Sequence, residues 1–156
     1  MIEAPWITES PAQLTAVIHL TIPRSEIRSV MGPGLGELMA SVAAQGVGPV
    51  GPWFTHHLKM DPEIFDFEIC VAVTAPVAAV GRVVASQRSA AMVARTVYHG
   101  PYEGLGSAWG EFKKWIAANG HLPGSDLYEC YVVGPESSPN PADWRTELTQ
   151  PLLETK

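Results

Sequence analysis

His99-Gly100-Pro101-Tyr102-Glu103-Gly104-Leu105, continuing to Tyr128-Glu129-Cys130-Tyr131, spells a helix start, an amphipathic helix, and a strand carrying a carboxylate between aromatic residues. Gly100 suits an N-cap, and Pro101 the first helical position, where a missing N–H costs nothing. Glu103 falls in the first turn, where the helix dipole favours negative charge. Leu105, Trp109, Phe112 and Ile116 recur at helical spacing. Gly120 follows as a C′ residue that ends the helix. Pro123-Gly124-Ser125-Asp126 turns the chain into Leu127 to Val133, a β-branched and aromatic run that reads as a strand. Alternation puts Glu129 and Tyr131 on one side of that strand, and Tyr128, Cys130 and Val132 on the other.

The rest of the chain repeats the pattern. Leu14 to Leu20 alternates as a strand ended by Pro23, and Leu35, Leu38, Met39 and Val42 follow at helical spacing. Pro33 is expected to break or kink any helix that begins near Ser25. Gly46 closes this element. Trp53 to Leu58 and Phe65 to Val73 read as strands separated by a turn at Asp61-Pro62, and Gly81 to Ala85 adds a short extended piece. Ala91 to Tyr98 is the strand before the opening stretch, and Trp144 to Gln150 is the last. Strand, helix, strand, strand therefore occurs twice. The two closing glycines, Gly46 and Gly120, lie 74 residues apart, and the same offset carries Leu38 onto Phe112, Val42 onto Ile116, Thr55 onto Glu129 and His57 onto Tyr131. A duplication is the economical explanation. The first repeat covers about 12–75 and the second about 90–151 of one domain spanning 1–156. Neither half could cover its own sheet face, so a shared sheet with a cleft between the halves is expected.

Composition narrows the function. With 156 residues, 46% apolar and 17% charged, the chain has enough material for a core without disulfide staples. A formal charge of −6 with no basic stripe argues against direct nucleic-acid binding. Cys70 and Cys130 lie in apolar strands and read as reduced thiols. The N-terminus does not resemble a signal peptide, and the apolar run from Ile69 to Ala85 is too interrupted to span a membrane, so a cytoplasmic protein is expected. Gly32-Pro33-Gly34-Leu35-Gly36 lacks the third glycine of a nucleotide loop. The five histidines show no zinc spacing, so neither metal nor cofactor is expected. His56 and His57 project to opposite faces of their strand.

Val97-Tyr98-His99-Gly100-Pro101-Tyr102, Trp115, Asn119-Gly120, Tyr128-Glu129-Cys130-Tyr131 and Thr146-Glu147-Leu148 with Pro151-Leu152 resemble the GyrI-like small-molecule-binding domain, the effector-binding domain of multidrug-responsive bacterial transcription regulators. Gly51-Pro52-Trp53-Phe54 and Phe67 to Val73 extend the resemblance through the first half. The resemblance implies an α+β fold: duplicated β-α-β-β units forming one curved antiparallel sheet with two main helices and a central cleft. It implies an acid on the cleft floor at Glu129 and a cleft tyrosine at Tyr102. The sequence departs from the family pattern at His57, where an aromatic such as tyrosine is frequent. No helix-turn-helix precedes the domain, so a standalone member is expected.

The candidate ligand residues are Glu129, Tyr131, Tyr102, Trp53, Thr55, His57 and Trp109. Helical spacing alone also fits Trp109 to a core position. Tyr98 and Trp144 stay outside this set. A carboxylate among rings attracts hydrophobic organic cations, each ring face adding about 0.5–2 kcal/mol. The same acid can instead activate water as a general base, and the family resemblance implies an alternative in which Glu129 is the catalytic group of a hydrolase of electrophilic, cyclopropanoid-type xenobiotics. The resemblance also implies a third reading, a gyrase-inhibitor-like protein-binding module, because the family takes its name from a gyrase inhibitor. Small molecules are thus the expected partners, with a homodimer or a separate regulator protein left open.

Overall fold

A computed structural model describes residues 2–60, 63–134 and 137–153. In chain order the elements are β1 (Trp6–Ser10), β2 (Gln13–Pro23), α1 (Ile27–Ala44), β3 (Val50–Met60), β4 (Ile64–Ala72), β5 (Val84–Arg88), β6 (Ala91–His99), α2 (Leu105–Ala118), β7 (Leu122–Pro123), β8 (Leu127–Val133) and β9 (Arg145–Leu153). The turn expected at Asp61-Pro62 lies outside the described residues. The fold is α+β with antiparallel pairing, and it divides into two compact units, Pro11–Ala90 and Met1–Ser10 with Ala91–Lys156.

In the unit Pro11–Ala90, the strands run in the order β3-β4-β2-β5, and α1 covers one face. Ala16 and Ile18 of β2 alternate inward with Phe67, Ile69 and Val71 of β4, meeting Leu38 and Val42 of the helix. All seven are fully shielded from solvent. α1 runs continuously through Pro33, against the expectation of a break. Proline in a helix interior costs about 3 kcal/mol. The long apolar stripe of Ile27, Met31, Leu35, Leu38, Met39 and Val42 packs on the sheet and outweighs that cost.

In the unit Met1–Ser10 with Ala91–Lys156, the order is β1-β6-β9-β8, with β7 on β9. Ala108, Trp109, Phe112 and Ile116 of α2 pack on Ala94, Tyr98, Leu127 and Leu148. β1 is not among the strands expected from the sequence. The edge of β6 recruits it, pairing Trp6 with Arg95 through Ser10 with Ala91.

Both units share one connectivity. In each, the last strand of the strand-helix-strand-strand run lies between the other two, β4 between β3 and β2, and β9 between β8 and β6. The agreement extends to register. Thr55 opposes Ile69 and Glu129 opposes Leu148; His57 opposes Phe67 and Tyr131 opposes Thr146. A bulge then follows at matching places, between His57 and Lys59 and between Tyr131 and Val133. Such bulges bend a strand and re-aim its side chains.

The helix of the second unit begins later than Gly100 and Pro101 suggest. A 3-10 turn over Tyr102–Gly104, capped by Pro101, leads into α2, whose N-cap is Gly104. The cause is Tyr98. Its hydroxyl donates to the Pro101 carbonyl at 2.8 Å, so the phenol end lies inside the turn. A Cβ on Gly104 would sit 2.0 Å from that hydroxyl oxygen, and Gly100 adopts φ +134 beside it. The helix start is dictated by a buried ring upstream of the turn, not by local capping.

Candidate functional site

Glu129 projects from β8 onto the helix-bearing face, between two donors. The Trp109 indole N–H donates to Oε2 at 2.7 Å, and the Tyr131 hydroxyl donates to Oε1 at 2.7 Å. Trp109 comes from the first turns of α2 and Tyr131 from two residues along β8, so helix and strand together fix the carboxylate. Both bonds are donated to it, the pattern suited to an anion. Glu129 is half-buried, while Trp109 and Tyr131 are buried. Trp109 takes the core position that helical spacing fits: its ring packs against Phe112 at 5.7 Å while its N–H reaches the acid.

Tyr102 stands beside this group. Its ring meets Tyr131 edge-on, with centroids 5.8 Å apart and planes at 78°, a favoured aromatic geometry. On its other side it lies against Trp144 at 4.9 Å. Trp144 is held by the loop before β9. Its indole N–H donates to the Ser138 carbonyl at 2.9 Å; Ser138 Oγ donates to Asp143 at 3.0 Å; and the Ala142 N–H donates to the Asn140 side chain at 3.1 Å. Trp144 stands outside the ligand set expected from the sequence. Its only sequence-level signal was an aromatic residue at the end of a proline-rich loop, two residues ahead of the strand position that opposes Tyr131.

Trp53, Thr55 and His57 lie together on the helix-bearing face of the unit Pro11–Ala90. Thr55 and His57 are buried, and Thr55 Oγ1 is 3.2 Å from His57 Nε2. The His57 ring stacks on Phe67 at 5.5 Å and meets Phe65 at 5.6 Å, and Trp53 packs against the same apolar core. His56 faces the other way, 3.3 Å from Glu68. Neither Cys70 nor Cys130 is joined in a disulfide. Burial, reinforced by the nearby Glu68 charge, raises the Cys70 thiol well above its usual range. Among the described residues, no group of three or more His, Cys, Asp or Glu side chains is placed to hold a metal ion, and no helix is long and apolar enough to cross a membrane.

Residues 4–153 match the model of the GyrI-like small molecule binding domain. The chain belongs to that family. Its GyrI-like fold is similar to the C-terminal domain of EcmrR, with TM-score 0.86 and 22% identity over 97% of this chain and 98% of that one. EcmrR in a DNA complex gives TM-score 0.85 and 21% identity over 97% of this chain, which spans only 58% of that longer protein. More distant are a hydrolase from Listeria innocua (TM-score 0.67, 13% identity, 96% and 91% of the two chains) and SAV2435 solved with tetraphenylphosphonium (TM-score 0.66, 11% identity, 97% and 94%). At these identities the likeness establishes the fold. No curated protein matches the sequence.

Proposed function

We propose that this GyrI-like domain binds hydrophobic organic cations, with Glu129 as the counter-charge and Tyr131, Tyr102 and Trp109 as its aromatic surround. The observation that carries the reading is the pair of 2.7 Å bonds from Trp109 and Tyr131, which hold a half-buried carboxylate in one orientation among rings. A fixed anion beside aromatic faces favours a large, weakly hydrated cation over water or a small ion. That SAV2435 was solved with tetraphenylphosphonium supports the same ligand class. Trp53, Thr55 and His57 hold the matching register of the first unit and are proposed as ligand-contacting residues of that unit by itself.

The structural likeness to the Listeria innocua hydrolase keeps a second reading in view, in which Glu129 activates water. Both carboxylate oxygens already accept a short bond, which supports holding a charge over abstracting a proton. One variant separates the two. Titration calorimetry with tetraphenylphosphonium on wild type and Glu129→Gln should give a loss of roughly 10- to 100-fold in affinity, the scale of one charge-assisted partner. Neutral triphenylphosphine oxide should bind both proteins alike. Equal phosphonium affinity in the two proteins refutes the binding reading; a catalyst would instead lose turnover of an electrophilic substrate while retaining its binding.

A further inference from the structure

We propose that the Thr146 hydroxyl is a second anchoring point of the Glu129 site, taking the neutral hydrogen-bonding substituent of a cation whose charge rests on Glu129; the proposal builds on the binding reading above. Thr146 opposes Tyr131 on one side and Tyr98 on the other, and its side chain is fully buried on the Glu129 face of the sheet. Its Oγ1 has no hydrogen-bond partner among the described residues. Other buried threonines of this unit differ. Thr96 donates to the Glu3 carbonyl at 2.7 Å, and Thr149 accepts from Arg95 at 3.2 Å.

The two neighbouring phenols point their protons elsewhere, Tyr131 to Glu129 and Tyr98 to Pro101. A buried hydroxyl left unpaired costs more than an ordinary hydrogen bond contributes, and valine would fill the same space in a strand without that cost. The hydroxyl is therefore explained by a partner that arrives with the ligand. Its position fits. Thr146 lies diagonally across β8 and β9 from Glu129, a relation that spaces side chains roughly 7–8 Å apart and so suits one substituted aromatic ring. Tyr102, half-buried, packs on Tyr131, the residue that opposes Thr146 across the ladder.

The test compares tetraphenylphosphonium with (4-hydroxyphenyl)triphenylphosphonium, which differ by one hydroxyl, by calorimetry on wild type, Thr146→Val and Thr146→Ser. Wild type should prefer the hydroxylated cation by roughly 3- to 10-fold, the value of one neutral hydrogen bond. Thr146→Val should erase the preference with tetraphenylphosphonium affinity within about twofold, and should melt no lower than wild type without ligand. Thr146→Ser should keep the preference. Binding of both cations to wild type with no preference overturns this proposal alone, as does a preference that survives in Thr146→Val or a ligand-free Thr146→Val that melts lower. Wild-type protein that binds neither cation overturns the binding reading and this proposal with it.

Discussion

Gly104→Ala is a sensitive probe of how the second unit positions its aromatic residues. Gly104 has an ordinary helical φ of −85, so alanine meets no backbone strain there, and all of the cost comes from Tyr98. The added methyl would lie 2.0 Å from the Tyr98 hydroxyl and 2.9 Å from Cζ. The phenol must move, although it is only 5% exposed and packed in the core. Forcing an extra methyl into a packed site costs about 1–3 kcal/mol, and the lost bond to the Pro101 carbonyl adds about 1. The total is about 2–4 kcal/mol, or roughly 5–15 °C in melting temperature for a chain of this size. Tyr98→Phe removes the oxygen that collides. In a double-mutant cycle followed by circular dichroism in urea, the two changes should cost about 1–2 kcal/mol less together than their sum. Additive effects, or a Gly104→Ala protein as stable as wild type, would refute the account of the helix start.

Tyr131→Phe keeps the ring against Tyr102 but removes one donor from Glu129, and should weaken tetraphenylphosphonium binding by roughly 3- to 30-fold in calorimetry through a less well-held carboxylate. Cys130, partly exposed, should react with iodoacetamide in the native protein, whereas Cys70, buried and with its thiol pKa raised, should be modified only after denaturation, as peptide mass spectrometry would reveal. The Glu37 carboxylate accepts from the Arg82 guanidinium at 2.8 and 3.1 Å, which lowers its pKa. Because the folded pKa is the lower one, this pair stabilises the fold above the ordinary carboxylate range, and the effect is lost as pH falls through the folded value. The stability gap between wild type and Glu37→Gln should therefore be small at neutral pH and vanish in acid, measured by urea unfolding across pH.

What could be read from the sequence was what depends on neighbours in the chain. The bounds of β8, the alternation that puts Glu129 and Tyr131 on one face, and the closing glycines Gly46 and Gly120 all follow from local pattern, and both glycines have the positive φ expected of them. What could not be read was settled by distant groups. Pro33 stays inside α1 because the sheet of Ile69 and Phe67 holds the helix to it. Trp6 to Ser10 becomes a strand because β6 offers an edge. The helix start shifts because Tyr98 fills the turn, and Trp144 reaches Tyr102 only through a loop whose bonds link residues up to six apart. For the candidate site, the acid and its strand neighbour were legible; the indole bond from Trp109 and the orphan hydroxyl of Thr146 required the packed arrangement.

The paired bulges have a bearing on how such a chain could diversify. They fall at the same step of the two units, so Thr55 and His57 in one copy and Glu129 and Tyr131 in the other hold equivalent places just before a bulge. One copy has spent those places on a hydroxyl and a ring buried over phenylalanines; the other spends them on a charge and a phenol. Under the proposed binding role, each unit by itself therefore carries two equivalent places at which ligand preference can be rewritten while its strand pairing is kept.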